Sequence, residues 1–316
     1  MANITAKLVK DLSENIGKVI FGKEKTVEEL LCALLSGGHV LLEDVPGTGK
    51  TSLVRALSAS FGGTYKRVQF TPDLLPSDIT GINYYQQNTG EFVFRQGPIF
   101  ANLFLADEIN RATPRTQSAL VECMEEGQVT VDGETRELSD VFMVMATMNP
   151  IEFQGTFPLP EAQIDRFMMK LHLGYPDEDG ERRIVEKVCG GFKDTDIEAV
   201  ATVDDLLGAR REIASVYVSD EVRDDIVRLV RATRESEKIK MGVSPRGVVA
   251  LTKACRAYAA IQGRDHILPD DVKRLAVSVL AHRLIPRSQS NIHLSQSGES
   301  LIEYLLTKIP VSLEKR

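Results

Sequence analysis

Residues 38–51, Gly-His-Val-Leu-Leu-Glu-Asp-Val-Pro-Gly-Thr-Gly-Lys-Thr, run a short apolar strand straight into a glycine-rich turn. Leu53, Leu57 and Phe61 then recur at i, i+4 and i+8, so a helix follows at once. A strand, a tight turn and a helix in this order place the turn at the carboxyl end of a strand in an α/β layer. The turn comprises Val45, Pro46, Gly47, Thr48, Gly49, Lys50, Thr51 and Ser52. Backbone N–H groups in such a turn can converge on phosphate oxygens, with the Lys50 ammonium near the β/γ-phosphates and the Thr51 hydroxyl suited to Mg²⁺. A bound nucleoside triphosphate is the expectation. Asp44 stands where the general pattern G-x-x-x-x-G-K-[ST] has its first Gly, and a ligand-free αβ turn is the bland alternative.

The rest of the chain repeats the same alternation and then abandons it. Residues 24–36 form an amphipathic helix with Val27, Leu30, Leu31, Leu34 and Leu35 on one face, stopped by Gly37-Gly38. Short apolar strands are expected at 39–43, 66–70, 102–107, 141–147 and 168–173, separated by helical segments. That pattern indicates a parallel five-stranded sheet covered on both faces, with ligands beyond its carboxyl edge. After Gly174-Tyr175-Pro176 the strand pattern stops, and Ile184, Val188, Val222, Ile226, Leu229 and Val230 fall on helical faces. An α/β domain over 1–175 and an all-helical domain over 176–316 are therefore expected; 316 residues suffice for both. Two hairpins interrupt the first domain, one in 71–100 around Asn88-Thr89-Gly90 and one in 128–138 around Asp132-Gly133.

Two further strands end in polar residues. Asn102-Leu-Phe-Leu-Ala-Asp-Glu108 ends in adjacent carboxylates: Asp107 can hold Mg²⁺ directly or through its water shell. Glu108, pointing elsewhere on the pleat, can polarise an attacking water. Val144-Met-Ala-Thr-Met-Asn149-Pro150 places an amide where it could orient that water, although Asn-Pro also makes turns.

Asp44–Thr51, Phe104–Glu108, Thr147–Asn149 and Pro158-Leu-Pro-Glu-Ala-Gln-Ile-Asp-Arg-Phe167 together resemble an AAA+ ATPase, and most specifically the MoxR family. The resemblance runs from Val19-Ile20-Phe21-Gly22 to the helical domain, and Asp44 suits that family. It implies an AAA+ fold with a helix-2 insert, a hairpin before the Asn-bearing strand and an all-α lid. It also implies that Arg166 is an arginine finger reaching a neighbouring subunit's nucleotide. Arg246, in Val-Ser-Pro-Arg, would be a second sensor touching the γ-phosphate from the lid. Arg111 and Arg115 are rival interface arginines. Ile20, Phe21 and Gly22 match the segment packing around adenine and serve equally as core. Asp73, Asp78 and His172 receive no role, His172 being expected as a satisfied core histidine near a strand end.

Charge and composition weigh against other classes. The 38 basic and 45 acidic residues give −7, which disfavours a chain-wide basic surface for nucleic acid. The hairpin tips, Asp132-Gly133-Glu134 and Asn88-Thr89-Gly90-Glu91, would repel phosphate. Cys32, Cys123, Cys189 and Cys255 lack metal-ligand spacing and read as small core residues of a reducing cytosol. Lys7, Lys10 and Asp11 leave no signal-peptide core, and the longest apolar run, 141–148, is far short of a membrane span. The expectation is a cytoplasmic, Mg²⁺-dependent ATPase. The resemblance implies a hexameric ring with chaperone-like action on client proteins, including metal-cofactor insertion, beside a separate von Willebrand factor A (VWA) domain protein. A chelatase motor subunit is the alternative, and a nucleic-acid remodelling motor a weaker one.

Overall fold

The computed structural model describes residues 4–149, 155–191, 196–287 and 297–309. The first part runs α1 (Ile4–Ile16), α2 (Glu24–Leu35), β1 (Val40–Glu43), α3 (Lys50–Ser60), β2 (Tyr65–Gln69), α4 (Pro76–Thr80), β3 (Gly81–Gln86) and β4 (Glu91–Gln96). It continues with β5 (Leu103–Asp107), α5 (Pro114–Glu126), β6 (Gln128–Val131), β7 (Glu134–Glu137), β8 (Met143–Met148), α6 (Glu161–Ile164) and β9 (Met169–Leu171). The second part comprises α7 (Glu178–Cys189), α8 (Val203–Ala214), α9 (Asp220–Glu235), β10 (Ile239–Met241), α10 (Pro245–Ile261), α11 (Pro269–Leu280), β11 (Ile285–Pro286) and α12 (Gly298–Lys308).

Five parallel strands form the central sheet in the order β2-β5-β8-β1-β9. Successive residues of a strand face opposite ways, and here both faces are apolar. Val40, Leu42, Leu103, Leu105, Met143 and Met145 pack under α2 and α3. Leu41, Phe104, Ala106, Val144 and Ala146 join Phe70, Leu120 and Phe167 in a second core on the other face. The five expected strands are all present, and β1, β5 and β8 carry their polar ends to one edge.

Among the described residues, the regular structure of the lid is helical save for a two-stranded antiparallel ribbon, Ile239 opposite Pro286 and Met241 opposite Ile285. How it docks decides where its arginines go. Helix α2 is buried nearly all round, with Leu30, Leu31, Cys32, Ala33 and Leu34 at 0 % exposure, because the sheet covers one side and lid helices the other. The buried Glu29 carboxylate of α2 accepts bonds from Arg274 and from Ser278 Oγ (2.8 Å) of α11. The lid is thereby pinned to α2.

Both hairpins form. In β3–β4 Tyr85 lies opposite Phe92, with ring centroids 5.4 Å apart. In β6–β7 the turn residues Asp132 and Gly133 have φ of +53° and +84°, the left-handed pair that a two-residue hairpin turn requires. Asn83 Nδ2 donates to Asp132 Oδ2 at 2.7 Å and ties one hairpin to the other.

Two expectations are corrected. Cys189, the last residue of α7, is exposed, whereas Cys32, Cys123 and Cys255 are buried. Helix α7 buries only Gly180, so its helical character implied a packed face that the fold does not provide. His172 is exposed rather than core, because β9 ends at Leu171; its ring bonds to Glu43 O (2.6 Å) and Glu299 Oε1 (3.1 Å).

Candidate active site

The turn after β1 is shaped for phosphate. Gly47 and Gly49 have φ of +83° and +88°; a Cβ at Gly47 would meet nothing within 4 Å, so the backbone lies open to a ligand. Helix α3 begins at Lys50 with no side-chain cap, leaving its first N–H groups facing the same space. Lys50 Nζ is braced by Asp44 O (2.8 Å) and Val45 O (3.2 Å), and Thr48 Oγ1 closes the turn on Val45 O (3.4 Å). Burial lowers the Lys50 pKa, against the pull of Asp44, Asp107 and Glu108. Asp44 has a structural task that glycine could not perform: its carboxylate accepts the Leu173 (2.5 Å) and Gly174 (3.0 Å) N–H groups, joining the turn to the exit from β9.

A cleft of about 430 Å³ is lined by Pro46, Gly47, Gly49–Ser52, Arg67, Gln69, Asp107, Glu108 and Asn149. The strand order brings these groups together from β1, β2, β5 and β8 at the carboxyl edge. Thr147 Oγ1 donates to Asp107 Oδ1 (2.6 Å) and accepts the Glu108 N–H (2.8 Å). Glu108 has φ of +55°, a left-handed conformation that is costly for a non-glycine and aims its side chain off the strand direction. Gln69 Nε2 (2.7 Å) and Arg111 Nη1 (3.0 Å) donate to the same oxygen, Glu108 Oε2. Arg67 donates twice to Asp107 Oδ2 (2.6 and 3.1 Å). Asn149 is buried on the cleft wall; Pro150 lies outside the described residues. The cradle fits a triphosphate. Thr51 and Asp107 fit Mg²⁺, which takes one or two protein oxygens and completes its shell with phosphate and water.

The proposed adenine segment is near but does not line this cleft. The Ile20 side chain comes within 3.9 Å of where a Gly49 Cβ would be. The Arg183 guanidinium lies 4.4 Å over the Phe21 ring, and Gly22 (φ +66°) faces the Asp177 carboxylate that caps α7.

Arg166 and Arg246 are elsewhere. Both pair with Glu125, at the end of α5: Arg166 Nε reaches Oε2 at 2.7 Å and Arg246 Nη2 reaches Oε1. They line a second cavity of about 420 Å³ with Gly38, His39, Met168 and Lys253. Gly38 and His39 precede β1 and Met168 precedes β9, so this is the amino edge of the sheet. At about 3.3 Å per residue, β1 alone separates the two edges by roughly 13 Å. Arg246 is thus not brought to the Lys50 cleft of its own chain, because the lid is docked on α2. Arg111 pairs within its own cleft, and Arg115 is exposed on the first turn of α5.

Comparison with known proteins meets this geometry. A family model described as ATPase family associated with various cellular activities (AAA) matches residues 39–169, and an AAA lid domain model matches 231–303. YeaC of Bacillus subtilis is 46% identical over 96% of this chain and 94% of its own length. The chaperone MoxR1 of Mycobacterium tuberculosis is 43% identical over 85% of this chain and 74% of its own. The chain belongs to the MoxR family of AAA+ ATPases. A crystal structure from Cytophaga hutchinsonii, 38% identical, superposes with a TM-score of 0.90 over 98% of this chain and 96% of that one. ATP hydrolysis at the general level follows from this membership.

In this MoxR-family ATPase, sequence reasoning missed Arg67, Gln69, Thr147 and Glu125 as parts of the two sites. Thr147 left a trace, being the only hydroxyl in an apolar strand. Arg67 and Gln69 left one as well: they alternate on β2, an edge strand one position from β5. Glu125 left none, since nothing local distinguishes it from other helix-surface acids.

Among the described residues, no helix is long and apolar enough to cross a membrane.

Proposed function

We propose that this chain is a Mg²⁺-dependent ATPase whose competent unit is a ring, hexameric as the family resemblance implies, and that its turnover remodels or matures partner proteins. The observation that carries the reading is the division of parts between two edges of one sheet. Lys50, Asp107, Glu108 and Asn149 stand at the carboxyl edge, while Arg166 and Arg246 stand paired at the amino edge. A transferring phosphoryl group needs cations on its outer face, and an arginine finger is worth about 10³–10⁵ in rate. Neither arginine reaches its own cleft, so a neighbouring copy's cleft is their destination. Such a head-to-tail contact closes into a ring when its rotation closes.

Within the cleft, the open backbone of the turn and Lys50 hold the phosphates. Glu108 takes the proton of the attacking water, held in place by Gln69 and Arg111. Asn149 orients that water. Mg²⁺ held by Thr51 and Asp107 would neutralise charge on the β/γ-phosphate oxygens. The paired hairpins, with Tyr85 and Phe92 exposed, would carry the motion to a client protein in the cytoplasm. A separate VWA-domain protein and metal-cofactor insertion into the client belong to the same reading, as does the absence of a nucleic-acid partner.

Subunit mixing tests it. Arg166→Ala and Lys50→Ala should each be inactive alone, and a mixture should regain part of the turnover because each supplies what the other lacks. Co-assembled mixtures that stay inactive would remove Arg166 from the trans role and leave it to Arg111 or Arg115.

A further inference from the structure

Arg283 lies in a single 3₁₀ turn (Ala281–Arg283) between α11 and β11 and is only 6 % exposed. Its guanidinium is spent on the segment that carries Arg166. Nη1 donates to the Asp165 carbonyl and to Asp165 Oδ1 (2.5 Å); Nη2 donates to Phe167 O (2.7 Å) and Met168 O (3.4 Å). Nε holds Val279 O of α11 at 2.8 Å. His282 Nε2 adds a bond to Phe167 O at 3.0 Å. The Asp165, Phe167 and Met168 carbonyls lie between α6 and β9, and a buried carbonyl needs a donor. A planar fork can span several acceptors at once, which a lysine ammonium cannot.

The same aspartate faces the other arginine. Asp165 Oδ2 accepts Ser244 Oγ at 2.8 Å, and Ser244 is the N-cap of α10, its Oγ accepting the Arg246 N–H at 3.1 Å. Gly247, one residue on, permits the approach: a Cβ there would stand 2.2 Å from Val243 Cγ1 and 3.2 Å from Arg283 Cδ. Glycine in a helix costs about 1 kcal/mol relative to alanine; close packing of α10 on the Arg283 stem is what it permits. Burial lowers the Arg283 pKa, with Asp165 opposing. A hydrophobic residue would fill this space without desolvating a charge, so the guanidinium is there for its bonds.

We infer that Arg283 is a positioning residue for the pair Arg166 and Arg246: through Asp165 and Ser244 it locks the finger segment and the start of α10 into one unit, so both arginines enter a neighbouring copy's nucleotide site in fixed register. The inference rests on the reading that these arginines act across a subunit interface.

Directional complementation tests it. Arg283→Met should lose at least about tenfold in kcat, with the affinity of its own cleft for a fluorescent ATP analogue within about twofold of wild type. Mixed with Lys50→Ala, whose finger segment is intact, it should recover turnover; mixed with Arg166→Ala it should not. Loss of packing alone would show no such preference for partner. Ser244→Ala, which keeps the Arg283–Asp165 pair, provides a milder variant should the Met variant fail to fold; a loss of about fivefold with the same preference is expected. Equal recovery with both partners, loss of the variant's own nucleotide affinity, or full kcat overturns the inference. If Arg166→Ala and Lys50→Ala do not complement each other, Arg166 has no role across the interface and the inference falls with that assignment. If they do complement while Arg283→Met is not rescued, the inference alone falls.

Discussion

Thr147 Oγ1 donates to Asp107 Oδ1 at 2.6 Å while accepting the backbone N–H of the next residue, Glu108, at 2.8 Å. One buried hydroxyl thus fixes both adjacent acids, one through its carboxylate and the other through its peptide, and it does so across two neighbouring strands. The left-handed backbone of Glu108 begins at that bond.

Thr147→Val keeps the β-branched shape that a strand favours and removes only the hydroxyl. It leaves Asp107 and the Glu108 N–H each short of a partner. Hydrogen bonds to charged groups contribute about 1.5–3 kcal/mol, so kcat should fall roughly 10- to 100-fold with ATP affinity little changed. Steady-state ATPase assays beside equilibrium nucleotide binding check this. An unaltered kcat would mean that Asp107 and Glu108 hold their positions without Thr147.

Glu108→Gln retains the shape and the left-handed backbone but cannot take a proton. General-base catalysis contributes about 10²–10⁴-fold, so turnover should collapse while ATP still binds and stays bound. Quantifying bound ATP and ADP after gel filtration distinguishes a trapped ATP complex from a failure to bind. Wild-type hydrolysis would withdraw the base assignment.

The thiols should divide one against three. Burial pushes the Cys123 thiol up to about 12 and raises Cys32 and Cys255 as well, whereas Cys189 is exposed at the end of α7. A chromogenic thiol reagent should label one cysteine per native chain quickly and all four only in denaturant. Rapid labelling of Cys189→Ser at any remaining position would contradict the buried assignments.

What was legible in the sequence follows from how local each feature is. The five strands could be read because each is a short apolar run, and the cleft because its groups sit at strand ends, which parallel topology collects at one edge. Asp44 could be seen as a departure, but its use, accepting the N–H groups of Leu173 and Gly174, needed strand β9 beside β1. Arg246 could be placed on a helix start, yet which edge it serves depends on the lid docking through Glu29 and Arg274 onto α2. Cys189 was misread because helical spacing reports a face without reporting whether anything covers it.

Added single-stranded DNA should not change the ATPase rate. The second hairpin turns on Asp132, Gly133 and Glu134, and its one basic neighbour, Arg136, is paired with Glu134 and stacked 3.9 Å over the Phe94 ring. The first turns on Asn88, Thr89 and Gly90 beside Glu91. No cation at either tip is offered to a phosphate backbone, and phosphate contacts supply most non-specific nucleic-acid affinity. Strong stimulation in low-salt rate measurements would restore the motor reading.

Stability should fall as pH drops from about 6.5 towards 4, and His39 is one of two buried histidines responsible. Its Nδ1 accepts the Val144 N–H at 2.9 Å, so the proton is on Nε2, which donates to Met124 O at 2.9 Å. Protonating Nδ1 would turn that acceptor into a second donor facing Val144. Burial, aided by the Arg210 charge, lowers the pKa to about 4. His282, lowered to about 3 by burial and then by Arg283, acts in the same direction. A depressed histidine means that the unfolded chain takes up the proton first. The native state keeps its full advantage above the unfolded pKa near 6.5 and loses it down to the folded value. For His39 the loss is on the order of 3 kcal/mol across that window. Urea midpoints of the wild type measured at pH 7.5, 6, 5 and 4 should therefore fall more steeply than those of His39→Gln, which keeps a side-chain donor and acceptor but cannot be protonated. Parallel slopes for the two proteins would show that His39 does not titrate on unfolding.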